Sequence, residues 1–425
     1  MRTPDNDVFK KAVKIAQNAT ELDASGKIRD AIDKYQEASD LLSHFVKKST
    51  NQDLTEQCRT KINQYLKRIK NLTFRLKFNK IKENLKKRNL KKVVKQCNEI
   101  LEKEPEQKDA LFFKAQVFHR QGKFQKAVQI YQKIIDIYPQ HKRTLLNLGI
   151  IYNKARKFSK ALKTYEKILA FDKKDKIVWY NAGLSYFQMG HFDSAIEYFI
   201  KALELDKDYI QAHVNIAYAY QEKKDYEKAI DHFRNALELD ENFKNAWNGL
   251  GYCYFLKKEY MNALNAYDHA LQIDPQYEFA LFNKGQAFQK QNNYQKAIEQ
   301  YQRALAQNPK NPRILTNLAT CLIETESYDQ AIQYGKKALK LNPNYVDTYV
   351  TIASAFYDKG RFDQSVKFLK KAIEIKGDKK SIWLHLGKTY LKKGNNEKAK
   401  QCLEQALVLD PNYDSALSLL NEIKK

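Results

Sequence analysis

Residues 244–277 read KNAWNGLGYCYFLKKEYMNALNAYDHALQIDPQY, and this stretch sets the frame for most of the chain. Counted from Lys244, Trp247, Gly251, Tyr254, Ala263, Tyr267, Ala270 and Pro275 hold positions 4, 8, 11, 20, 24, 27 and 32. Moved back 34 residues, the frame meets His213, Ala217, Tyr220, Ala229, Phe233 and Ala236. Moved forward 34, it meets Leu281, Gly285, Phe288, Ala297, Tyr301, Ala304 and Pro309, with no insertion or deletion. Positions 4, 7, 8 and 11 fall on one stripe of a first helix, and 20, 24, 27 and 28 on one stripe of a second. Small residues at 8 and 20 let the two backbones approach. A Gly, Lys or polar residue near 15 suits the turn, and Pro at 32 stops the second helix. A bulky side chain at Ala263 is expected to overpack the pair and to cost roughly 1–3 kcal/mol.

This pattern resembles the tetratricopeptide repeat (TPR), a helix–turn–helix unit whose apolar face is buried only against neighbouring units. Nine clear repeats run from residue 108 to 413, and their position-8 and position-20 residues are all Gly, Ala or Ser. Residues 74–107 fit the same frame poorly, with Asn84 at position 11 and Val93 at 20, and read as a degenerate first repeat. The tail, 414–425, reads as one capping helix. The resemblance implies an all-α, right-handed superhelix with a concave face lined by the first helix of each unit.

The first 73 residues are helical but out of phase. Ala31 would be a position-20 residue, yet the next, Val93, follows after 62 residues where two repeats need 68. A further amphipathic segment, Leu54–Leu72, fills the interval, so the expectation is a separate bundle of three helices of about twenty residues each. Ala12, Ala16, Asp23, Gly26, Ala31, Tyr35 and Ala38, with the closing Arg59-x-Lys61 and Tyr65-Leu66-x-Arg68, resemble the MIT (microtubule-interacting and trafficking) domain. That resemblance implies capture of C-terminal tails of ESCRT-III subunits between the second and third helices. Leu66 and Ile69 would form the floor, Leu42 and Phe45 the opposite wall, and Lys61 would meet a ligand carboxylate. Lys67 and Lys70 replace residues often acidic in the family, which disfavours a basic ligand and favours an acidic one such as a tubulin tail.

In the array, the resemblance puts ligand contacts at positions 2, 5, 6, 9, 12 and 13. Position 6 reads Asn147, Asn181, Asn215, Gly249, Asn283 and Asn317 through six repeats. A carboxamide can both donate to and accept from a peptide amide, and the row resembles the asparagine ladder of O-GlcNAc transferase. Tyr180, Leu184, Phe187, Val214, Tyr218, Tyr252 and Phe255 at positions 5, 9 and 12 would give an apolar groove. Position 5 has no lysine, so the two-carboxylate clamp for heat-shock chaperone tails is not expected.

The composition fits a folded helical chain, with 43% hydrophobic residues, 13 Gly and 8 Pro in 425 residues. No apolar run approaches a membrane span, and MRTPDNDVFKKAVK lacks a signal-peptide core, so the expected location is cytoplasmic, endosomal or cytoskeletal/ciliary. Five cysteines without CxxC spacing read as buried thiols, not a disulfide framework or zinc site. No phosphate-binding loop, HExxH or GxSxG occurs. No catalytic residue, cofactor or metal is expected. The formal charge of +25 calls for an anionic partner or reflects a lysine-rich exterior. The densest run, Phe74–Cys97, holds ten basic residues and one acidic but few aromatics, so nucleic acid is not the expected partner. The leading reading is a non-enzymatic adaptor for protein partners, with any membrane association made through them. A basic structural protein on a filament or other polyanion, and a substrate-presenting subunit of an enzyme complex, remain alternatives.

Overall fold

A computed structural model describes residues 4–424. Met1–Thr3 of the expected bundle and Lys425 of the expected closing helix lie outside the described residues. The described residues form twenty-three α-helices and no strand, and the chain divides into two compact units, Met1–Lys173 and Lys174–Lys425.

The first unit begins with α1 (Pro4–Ala24) and α2 (Ile28–Lys48), joined by a turn in which Gly26 takes φ +80°. The sequence places alanines on their facing stripes, and Ala12, Ala16, Ala19, Ala31 and Ala38 are all buried there. Next comes α3 (Gln52–Lys86), whose N-cap Asn51 accepts a hydrogen bond from the Leu54 amide at 3.1 Å. Here the structure departs from the expected helix of about twenty residues. α3 runs for 35 residues and passes through the expected boundary at residue 73 without a break. The physical reason is local: no Gly or Pro interrupts 52–86, and beyond Leu72 its buried stripe swings to the other side of the same helix, where Phe78, Ile81 and Leu85 meet new partners. Cys58, Tyr65 and Leu72 belong to the bundle core; Phe78 then packs, tilted, against Phe113 of the repeats at 5.9 Å.

The bundle is also fastened by charge. Asp23, whose side chain is 5% exposed at the end of α1, pairs with Arg68 and, at 2.9 Å, with Arg75 of α3. The unit continues with α4 (Leu90–Leu101), α5 (Lys108–Arg120), α6 (Phe124–Ile137), α7 (Lys142–Lys154) and α8 (Phe158–Leu169).

The second unit holds seven hairpins: α9 (Lys176–Gln188) with α10 (Phe192–Leu205), α11 (Ile210–Glu222) with α12 (Tyr226–Leu239), α13 (Lys244–Leu256) with α14 (Tyr260–Ile273), and α15 (Glu278–Lys290) with α16 (Tyr294–Gln307). After them come α17 (Pro312–Glu324) with α18 (Tyr328–Leu341), α19 (Val346–Asp358) with α20 (Phe362–Ile375), and α21 (Lys380–Lys392) with α22 (Asn396–Leu409). α23 (Asp414–Lys424) packs on α22 and closes the stack, burying Ala416 and Leu420.

Each hairpin turns at position 15 through a residue of positive φ. Glycine serves at 122, 190, 360 and 394, but Arg88, Arg156, Lys224, Lys258, Asn292 and Glu326 do the same work with a side chain. The turn is fixed by backbone bonds that close the first helix, such as Lys258 N–H to Phe255 O at 3.0 Å and Glu259 N–H to Tyr254 O at 2.9 Å. Inside the hairpin the position-8 glycine takes the ring from position 24. A Cβ on Gly251 would lie 2.6 Å from Tyr267 Cε1 and 3.1 Å from Ala263 O, which is why this seat is glycine. All five cysteines are buried and unpaired, and burial pushes the Cys97, Cys253 and Cys321 thiols up to about 12. No helix among the described residues is long and apolar enough to cross a membrane.

Candidate functional site

In the second unit the first helices of successive repeats touch one another, α9 with α11, α11 with α13 and onward to α19, so they build its inner face. The aromatic residues expected there are half-buried, each with part of its ring used in packing. Tyr180 leans on Phe199 at 5.6 Å and Tyr209 at 5.0 Å, and Phe187 meets Phe192 edge-on at 5.5 Å. Tyr218 sits edge-on to Phe233 at 5.2 Å. Tyr252 and Phe255 stack on each other, 6.0 Å apart, and Leu184 packs beside Tyr180. Val214 is buried and leaves the surface set.

The asparagines are less available than their spacing suggests. Asn147 and Asn181 donate back to the carbonyls of Arg143 and Ile177 in their own helices. Asn215 spends its N–H bonds on Gln211 O at 2.8 Å and the Tyr180 hydroxyl at 3.0 Å. Asn283 donates to Asn248 Oδ1 at 3.0 Å, and Asn317 bonds the Tyr301 hydroxyl. The expectation of bidentate pairing with a ligand is therefore corrected at Asn215, which keeps only its carbonyl oxygen for a peptide. At Asn215 and Asn283 the position-6 amide ties its repeat to position 5 of the preceding one. Gly249 interrupts the row because any Cβ there would run into the ring of Phe233.

The three-helix surface also needs correction. Leu42 is 0% exposed and Phe45 8%, both inside the bundle core, so neither forms the wall of a groove. Ile69 is half-buried against that core and Lys61 is half-buried. Leu66, at 45%, is the exposed apolar residue of the set. Lys70 pairs with Glu104, which removes one of the two lysines expected to repel a basic ligand.

Sequence reading missed a pair of charge ladders. Lysine at position 1 reaches the aspartate at position 31 of its own repeat, as Lys142–Asp172 and Lys244–Asp274 at 2.6 Å, and likewise Lys176–Asp206 and Lys380–Asp410. The Lys244 and Lys380 ammonium groups also lie 4.8 and 4.4 Å from the ring centroids of Tyr277 and Tyr413 at position 34. A second ladder joins position 14 of one repeat to an acid at position 18 of the one before: Lys223–Asp193, Lys257–Glu227, Lys359–Asp329 and Lys393–Asp363. The signal was a 30-residue Lys-to-acid spacing. Part of the +25 exterior is thus structural strapping.

The histidines show no catalytic arrangement. His213 and His232 place their Nδ1 atoms 3.2 Å apart, and burial, then His213, lowers the His232 pKa to about 4. Burial lowers His119, His141 and His385 as well. No group of three or more His, Cys, Asp or Glu converges to hold a metal among the described residues.

The comparisons agree with this architecture. The family model described as the MIT (microtubule interacting and transport) domain matches residues 9–73. A model for the N-terminal TPR repeats region of Psidin matches 75–197, and further tetratricopeptide-repeat models match 183–224, 210–243, 243–310, 282–346, 323–379 and 356–423. No curated protein matches the chain. Among solved structures, that of the APC/C hetero-tetramer Cut9-Hcn1 is 14% identical, with 100% of this chain and 97% of that one covered at a TM-score of 0.50, a likeness of fold. The yeast Tom70 structure is 17% identical over 98% of this chain and 96% of that one, at a TM-score of 0.44. Family models and helical architecture together make the chain a tetratricopeptide-repeat protein with an MIT domain at residues 9–73.

Proposed function

We propose that the protein is a non-enzymatic adaptor that holds two protein partners, an extended peptide on the inner face of the second unit and a tail on the MIT domain. The MIT and TPR architecture supports protein interaction as such. The observation that carries the finer reading is the state of Tyr180, Leu184, Phe187, Tyr218, Tyr252 and Phe255. Each is held by neighbours yet half-open, so an apolar ligand would meet preorganised rings at little entropic cost. The carbonyl oxygen of Asn215 would accept from the ligand backbone. On the MIT domain, the exposed Leu66 beside Ile69 offers an apolar edge to an ESCRT-III-type or acidic, tubulin-like tail. Two weak sites on one chain raise effective concentration without new contacts. Such an adaptor would work in the cytoplasm, at endosomes or on the cytoskeleton.

Partner recovery by the full chain tests the first site, with Tyr252→Ala and Tyr218→Ala combined and helicity monitored; unchanged recovery removes it. Titration of the full chain with labelled tails, with and without Leu66→Asp, tests the second. The intact chain is required because a cut at residue 73 would sever α3. A second reading, attachment to a polyanion, is favoured by the α3–α4 hairpin. Of its ten cations between 74 and 97, Lys87 pairs with Glu83 and Arg75 with Asp23, and among the other eight Lys86, Arg88, Lys91 and Lys92 stand exposed around the α3–α4 turn. Binding of that kind weakens steeply with salt, whereas an apolar groove responds little.

A further inference from the structure

We propose that the cavity beside the second half of α3 docks an acidic peptide segment carrying one aromatic or branched apolar side chain. This site shares no residue with the inner face of the second unit, and only its outer end, at Lys67 and Lys70, borders the MIT edge at Leu66. Because α3 does not stop at the end of the bundle, its residues 71–82 stand as a wall facing α5, and the N-terminus of α7 adds Arg143. Between them lies a cavity of about 370 Å³. A second, of about 790 Å³, shares Asn71, Phe74, Gln107 and Asp109 with it, so the two form one groove inside the first unit.

The lining has two characters. Phe74 and Phe78 stack at 6.1 Å, and Phe78 meets Phe113 at 5.9 Å, which gives an aromatic wall. The volume suits one or two side chains, not a whole helix. Around the smaller cavity stand Arg75, Lys82 and Arg143 against Asp109, and the larger one adds Lys67, Lys70 and Lys108 against Glu104 and Glu106, so cations outnumber carboxylates along the whole groove. Arg75 is engaged by Asp23. Lys82 and Arg143 pair with no carboxylate among the described residues. Arg143 is held with its guanidinium carbon 4.4 Å from the Phe112 ring centroid, so its charge is already placed. A cationic rim around an aromatic wall selects acid outside and an apolar anchor inside. A second copy of this chain is a poor occupant at +25. A nucleic acid is disfavoured because stacking needs successive open ring faces, whereas Phe74 alone of the three rings is partly open, enough for one side chain, with Phe78 and Phe113 only 8% and 3% exposed behind it.

The test uses the full chain and fluorescence anisotropy at physiological salt with three probes. They are a labelled twelve-residue Glu/Asp peptide with one central Phe, the same peptide with Ser there, and a dT twelve-mer. The Phe peptide should bind about tenfold tighter than the Ser peptide, the effect of one seated apolar side chain. Lys82→Glu, at an exposed lysine where folding is not at stake, should weaken it about fivefold or more, and Lys95→Glu on α4 less than about twofold. Equal binding of the Phe and Ser peptides overturns the proposal, as does equal damage by the two charge reversals. Displacement by the oligonucleotide, or no binding at about 1 mM protein, overturns it too. Leu66→Ala, which removes the MIT edge without adding charge beside Lys67, and Tyr252→Ala on the inner face should leave this binding unchanged, so the two readings fail separately.

Discussion

Tyr267 and Tyr301 occupy position 24 of adjacent repeats, each 0% exposed and each set against a position-8 glycine, Gly251 or Gly285. Their hydroxyls differ. Tyr301 donates to Gln289 Oε1 at 2.8 Å and is bonded by Asn317, whereas the Tyr267 hydroxyl has no partner among the described residues. The cause lies at position 12, which is Gln289 in one repeat and Phe255 in the other. Removing the hydroxyl should therefore act with opposite sign. Tyr301→Phe loses a neutral hydrogen bond, about 1 kcal/mol. Tyr267→Phe relieves a buried unpaired hydroxyl, a gain of about 1–2 kcal/mol less a smaller loss of contact for one oxygen. Because each repeat leans only on its neighbours, the effect is local. Native-state hydrogen exchange should show α16 amides exchanging about fivefold faster in Tyr301→Phe, and α14 amides unchanged or slower in Tyr267→Phe. Equal loss of protection in both variants would refute the reasoning.

Three further outcomes are expected. Asp23→Ala strands Arg68 and Arg75; since both arginines are about half exposed, the loss should be about 2 kcal/mol, read as faster exchange in α1 and the first half of α3. Lys258→Gly relieves a left-handed residue at φ +65° and should stabilise the α13–α14 hairpin by up to about 1 kcal/mol, visible as a raised urea midpoint. Acid should destabilise the second unit between about pH 6.5 and 4. The unfolded chain binds a proton there that His232, lowered to about 4, refuses in the fold, so stability falls as pH drops through that window; His232→Gln should flatten part of the loss in melting temperature.

Much of the fold was legible because its signals are local and repeated. Gly251, Ala263 and Tyr267 recur at fixed offsets, since a hairpin needs small residues where backbones meet. The alanines of α1 and α2 follow from the spacing that marked the MIT domain; Asp23 and Arg68 belonged to that pattern, but their pairing emerged only in the structure. The candidate sites were less legible. Leu42 and Phe45 were assigned to a groove by the resemblance to the MIT domain, and the residues themselves could not correct it, since an apolar side chain on a helix reads the same whether it faces the core or a ligand. The lysine ladders were hidden in composition, since a charge count does not record which cation already has an anion.

The sequence by itself determined the repeat period, the helical hairpin and the two kinds of module, because periodicity and turn chemistry act over a few residues. Only the tertiary structure decided which groups remain free to bind. The donors of Asn215 and Asn283 are taken by Tyr180 and Asn248, 35 residues away in sequence and one helix away in space. It also decided where the bundle ends. With no Gly or Pro to stop it, α3 buries one side in the core of Leu72 and then the other side against the ring of Phe113, and the wall of the Phe74–Phe78 groove exists because the helix itself is continuous.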